Sequence, residues 1–175
     1  MTQQQAPAWR LGVLLWLLGM PGVVAVVWAL LPTLAAHQAL LPMPLWAGVL
    51  LSGLQTAVLL AVAVTLGVVL APRVGLAAPG LSAWLQGRPV MPALRPQLMP
   101  GLWGGLAGAA WPWALSLIAP DALKSSDPAS AMSWSVKLLY GGITEELLMR
   151  WGLMSLLLWL GWRLVQRGQG APRAG

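Results

Sequence analysis

Two adjacent carboxylates, Glu145 and Glu146, followed by Arg150, are the residues of this chain best suited to chemistry. They lie inside a stretch from Ser133 to Trp162 that otherwise suits a lipid bilayer. An ionisable side chain near the bilayer centre costs about 2.5–3.5 kcal/mol on insertion scales. The chain has only four acidic residues, so half of them occupy the most expensive place available. On an α-helix successive residues turn by about 100°. Glu146 and Arg150, four apart, then lie about 40° from each other and can pair. Glu145 lies about 140° from Arg150, with Gly141 and Met149 as its nearest facial neighbours. Arg150 is expected to neutralise Glu146 and orient the helix, and Glu145 to lack a partner on its own helix. Lys137, two turns away and about 12 Å along the axis, is placed to snorkel toward the outer interface.

A carboxylate held away from bulk water can act as a general base on a water molecule. It can also ligate a hard or borderline metal ion. The bland alternative is a polar network in which both glutamates and Arg150 only join helices. Gly141 and Gly142 remove side chains beside Glu145, and either another helix or a substrate backbone can approach there.

These residues need a scaffold, and the composition describes one. Of 175 residues, 58% are hydrophobic and 8% charged. Soluble domains carry about 25% charged residues. The reading is an all-α integral membrane helical bundle of about four transmembrane helices, one membrane domain over 1–175. The net charge of +6 is spread over segment ends, so no nucleic acid partner is expected. Without cysteine there is no disulfide, thiol nucleophile or thiolate metal site. The bias toward Ala, Gly, Pro, Leu, Arg and Trp suggests a GC-rich bacterial gene, and hence a bacterial inner membrane.

Four spans are expected, over about 9–31, 45–70, 101–119 and 134–165. The first is interrupted only by Pro21-Gly22 and is too long for a signal-peptide core of about 7–15 residues, so it reads as an uncleaved helix. In the third, Gly101, Gly104, Gly105 and Gly108 form small-xxx-small pairs that permit close helix packing. The fourth would be about 48 Å long, against a hydrocarbon core of about 30 Å. It must tilt, break near Gly152 or protrude. The proline-rich connection Pro72 to Pro100 holds a piece, Leu81 to Leu85, that reads as one interfacial turn of helix or as plain loop. The tail after Gln166 is expected to be disordered.

Arg10 precedes the first span, Arg73, Arg88 and Arg95 lie between spans two and three, and Arg163, Arg167 and Arg173 follow span four. The outer loop Pro32 to Pro44 has no Lys or Arg, and Pro120 to Met132 sets Lys124 against Asp121 and Asp127. The positive-inside rule then makes the protein a multi-pass cell-membrane protein with both termini cytoplasmic.

The segment Tyr140-Gly-Gly-Ile-Thr-Glu-Glu-Leu-Leu-Met-Arg-Trp-Gly-Leu resembles the first motif of the CPBP family, the CAAX proteases and bacteriocin-processing or abortive-infection proteins. That motif, Glu-Glu-x-x-x-Arg on a transmembrane helix, is matched by Glu145, Glu146 and Arg150, and the likeness covers roughly Leu138 to Leu164. The resemblance implies an intramembrane endopeptidase that cleaves near the C-terminus of a membrane-associated peptide or protein. Glu145 would activate the attacking water, helped by histidines on later helices, while Arg150 holds Glu146. Family members have been labelled metalloproteases and glutamate proteases, so the resemblance brings a divalent metal such as zinc as an implied cofactor, with no metal ligands assigned.

The family's second motif is Phe-x-x-x-His, and its third supplies another His, often followed by Asn. This chain has no Phe, no Asn and one histidine, His37, which falls in the first outer loop and matches no family position. The expectation is a fragment, a truncated relative, or a chain needing a second polypeptide to supply the histidines, with no turnover alone. Two other readings stand beside it: a non-enzymatic membrane immunity or scaffold protein, and a transporter subunit in which Glu145 carries a proton. Membrane lipid is a partner in all three.

Overall fold

The computed structural model describes residues 7–40, 42–118 and 132–168. It is all-helical, with no strand among the described residues. In chain order the helices are α1 (Ala8–Ala36), α2 (Leu45–Leu70), α3 (Pro79–Leu85), α4 (Val90–Ile118) and α5 (134–164). Short 3₁₀ turns cover Gln38–Leu40 and Ala71–Val74. Gly75, at φ 77°, ends the second turn in a left-handed conformation that a side chain would strain. Of the outer loop expected at Pro120–Met132, only Met132 is described, and residues 169–175 of the tail, with Arg173, also lie outside the described residues.

Among the described residues, two helices are long and apolar enough to cross a membrane: α1, and α2 with its extension to Val74, both at mean hydropathy 2.3. Helix α1 runs through Pro21 and Pro32, past its expected end at Leu31. A proline removes one ladder hydrogen bond, and in an apolar setting neighbouring helices satisfy what it frees. Helix α2 has the expected bounds.

The chain falls into two units. The larger holds α1, α2 and α5. Its buried positions on α1 are Leu15, Gly19, Gly22 and Val23, and on α2 Leu60, Ala63, Val64, Gly67 and Leu70. Each set follows the three-to-four residue spacing of one helical face. Helix α5 contributes Thr144, Gly152 and Ser155. The contacts are built on glycine. A Cβ on Gly19 would strike Leu60, on Gly22 Thr144 and the Leu139 carbonyl, on Gly67 the Trp151 indole, and on Gly152 the backbone of Ala63. Gly152 is therefore a packing position, and of the tilt, break or protrusion expected of this span, no break falls at Gly152. Large apolar side chains such as Trp28, Leu50 and Leu54 point outward.

Helix direction follows from these contacts. Gly12 faces Val64 and Val68 while Gly53 faces Val27, so α1 and α2 are antiparallel. Leu139 meets Gly22 and Leu147 meets Gly19, so α5 opposes α1 and runs with α2. Its C-terminal segment accordingly packs on the Ala71–Val74 turn. Arg10, Arg73, Arg163 and Arg167 thus gather at one end of this unit.

The smaller unit holds α3 and α4, joined where Gly80 receives Leu94. Residues 90–100, expected as connection, are the first turns of α4, which absorbs Pro96, Pro100 and Pro112. The Leu81–Leu85 piece belongs to α3. Helix α4 buries no residue, and a Cβ on Gly101, Gly104, Gly105 or Gly108 would meet nothing within 4 Å. The close packing expected of that stripe has no counterpart among the described residues.

Candidate functional site

Helix α5 carries both glutamates, and it departs from α geometry around them. Lys137–Thr144 and Leu147–Met154 are π-helical, separated by Glu145 and Glu146. In a π turn each N–H reaches the carbonyl five residues back, and the Glu145 N–H bonds to the Tyr140 oxygen. Such widening makes the helix shorter for its residue count and recurs at functional sites. Thr144 ends the first of these segments. Its side chain is fully buried, and its hydroxyl donates to the Gly19 carbonyl of α1 at 2.7 Å, with a longer approach of 3.4 Å to Leu139 on its own helix. A hydroxyl drawn into the ladder disturbs regular i→i−4 bonding.

Arg150 Nη1 lies 2.9 Å from Glu146 Oε2, the pairing expected from the spacing. The side chains are 76% and 44% exposed, so protein does not bury this pair. Glu145 is exposed on the surface of its unit. Among the described residues no hydrogen bond or ion pair engages its carboxylate. The side chain leans back over Gly141, where an added Cβ would sit 3.6 Å from Oε2. At Gly142 an added Cβ would meet only Leu138. Open space beside Glu145 therefore continues along the Gly-Gly step, and no helix fills it among the described residues.

The depth of the pair is set by its neighbour. Thr144 is locked to Gly19, close to the middle of α1, and Leu147 also packs there. His37 closes the far end of α1, with Nδ1 at 2.9 Å from the Thr33 carbonyl. From Gly19 to His37 is roughly 27 Å along the helix. The histidine does not join the glutamates.

A zinc site needs three or four protein ligands. Among the described residues no group of three His, Cys, Asp or Glu stands close enough to hold a metal. Glu146 is committed to Arg150, which leaves Glu145 as a single donor. Among the described residues, the donor set does not make up a zinc site.

Sequence reasoning missed Thr144 and Trp16. Trp16 Nε1 donates to the Ala57 carbonyl at 3.0 Å, tying α1 to α2. Their signal was polarity inside an apolar run, but the partners are backbone carbonyls far away in the chain. Among the described residues, two more buried polar atoms, Trp151 Nε1 and Ser155 Oγ, have no hydrogen-bond partner.

Compared with known proteins, the chain matches no family model, no curated protein and no solved structure. The likeness to the first CPBP motif rests on Glu145, Glu146, Arg150 and the Gly-Gly lead-in.

Proposed function

We propose that this chain is a four-span membrane protein, both termini cytoplasmic, that carries the carboxylate part of a CAAX-type intramembrane endopeptidase. Helices α4 and α5 would be the third and fourth spans. The membrane placement draws on the apolar α1 and α2, on a unit with small residues inside and large apolar ones outside, and on four arginines at one of its ends.

One observation carries the enzymatic reading: a carboxylate without a partner among the described residues, level with the middle of α1, beside backbone at Gly141 and Gly142 that no other described helix covers. With Glu146 neutralised by Arg150, Glu145 is the group left to take a proton from water. The resulting hydroxide attacks a peptide carbonyl lying along the Gly-Gly step, and the proton passes to the departing amine. The helper histidines would come from a second polypeptide, since His37 is far away.

Free imidazole can stand in for those histidines. The chain is reconstituted in liposomes with a membrane-anchored peptide. The expected result is no cleavage alone, slow cleavage with imidazole, and none in Glu145→Gln. Cleavage that survives Glu145→Gln, or none under any condition, sinks the enzymatic reading.

A second reading, a membrane immunity or scaffold protein, is favoured by the distance of His37 from the glutamates. It predicts a stable complex with another membrane protein that Glu145→Gln leaves intact.

A further inference from the structure

Two apolar grooves run between α1 and α2 in the larger unit. The first, about 450 Å³, is lined by Trp9, Gly12 and Trp16 of α1 and by Val64, Thr65 and Val69 of α2, among others. The second, about 480 Å³, continues the same stripe of α1 through Met20, Val24 and Val27. The Trp16 indole, bonded to the Ala57 carbonyl, bridges the helices between the two. The hydroxyl of Thr65 donates to the Ala61 carbonyl at 2.7 Å, and the other lining side chains apart from the indoles of Trp9 and Trp16 are apolar, so the lining suits a hydrocarbon chain.

The ends of the grooves differ in charge. Trp9 lines the mouth of the first, and the Arg10 guanidinium lies over the Trp9 ring, 5.4 Å from its centroid. Arg73 lies in the Ala71–Val74 turn that directly follows α2, at the same end of the unit as Arg10. No acidic residue stands near this end among the described residues. An arginine stacked on an aromatic ring keeps its outer edge free for two parallel hydrogen bonds to a phosphate. The mouth of the second groove lies toward His37 and carries no arginine or lysine from α1 or α2.

We infer that the first groove seats an acyl chain of an anionic glycerophospholipid whose headgroup phosphate is held by Arg10 and Arg73. The inference rests on the membrane placement proposed above and not on the endopeptidase reading.

The test uses the whole chain in non-ionic detergent, titrated with phosphatidylglycerol or with phosphatidylcholine of the same acyl chains, and native mass spectrometry counts bound lipid. The parent should prefer the anionic lipid by roughly 25-fold, at roughly fivefold per arginine. Arg10→Gln with Arg73→Gln should erase the preference. Arg163→Gln with Arg167→Gln removes the same charge from the same end, outside the groove, and should keep it. Gly12→Leu fills the groove and should lower occupancy by both lipids. Equal affinity of the parent for the two lipids, binding of neither, equal loss in the two double variants, or full occupancy in Gly12→Leu overturns the assignment. Glu145→Gln should leave every one of these readings unchanged, so the outcome is independent of any protease assay.

Discussion

The Thr144 hydroxyl donates to the Gly19 carbonyl at 2.7 Å, joining α5 to α1 at a point where both are buried. Glu145 is the next residue along. The bond therefore fixes the depth and the rotation of the helix that carries the carboxylates, and it does so where Gly22 lets α5 approach the α1 backbone.

Thr144→Val keeps the shape and loses the donor. It should lower stability by about 0.5–1.5 kcal/mol, since an interhelical hydrogen bond has that net worth, while Thr144→Ser should stay close to the parent. Thermal unfolding in detergent reads the difference. An unchanged melting temperature in Thr144→Val would mean the bond does not hold the helices together.

Glycines that pack and glycines that stand open should separate under the same substitution. Gly22→Ala and Gly152→Ala force a Cβ against backbone, and should each cost roughly 1–3 kcal/mol as overpacking does. Gly101→Ala and Gly105→Ala meet open space, and should be neutral or stabilising by up to about 1 kcal/mol through helix propensity. Chemical denaturation of the four variants orders them, and a reversed order refutes the glycine-based core.

Arg150→Ala leaves Glu146 without its counter-charge. In liposomes it should destabilise by roughly 1–3 kcal/mol, and Glu146→Gln added to it should recover most of the loss. In water-filled detergent surroundings the effect should shrink below about 1 kcal/mol, because protein does not bury the pair. Equal stability of Arg150→Ala and the parent in a bilayer rules the pairing out as a scaffold.

Glu145 has no partner to lose among the described residues, so Glu145→Gln should fold as well as the parent or slightly better. A thermal shift assay checks this. A clear loss of stability would assign Glu145 to the scaffold instead of to chemistry.

The absence of cysteine makes a topology test clean. In spheroplasts a membrane-impermeant maleimide should label His37→Cys, and should label Arg73→Cys only after lysis. Labelling of both from one side contradicts an α1–α2 pair that crosses the membrane twice.

The Glu146–Arg150 pair was legible in the chain, because neighbours three to five residues apart meet on any helix, α or π, whereas the spacing left open whether a helix or a substrate backbone lies over Gly141 and Gly142. Two features were not legible. The π turns on either side of the glutamates and the bond from Thr144 to a carbonyl on another helix leave no record in the spacing of residues within α5. Burial of Glu146 was expected from its apolar surroundings in sequence. Yet α1 and α2 cover the opposite face of α5, so any desolvation of the pair must come from the surrounding medium.

Hydropathy marked the places of α1, α2 and α5 in the sequence, since partition into an apolar phase adds up residue by residue along a segment, but proline did not end α1, which runs through Pro32 to Ala36. The glycines behaved otherwise. The conspicuous series Gly101 to Gly108 stands open, while Gly19, Gly22, Gly67 and Gly152 carry the contacts. A missing side chain becomes a contact only where another helix brings matching bulk to it, and that depends on three helices distant in sequence meeting in space.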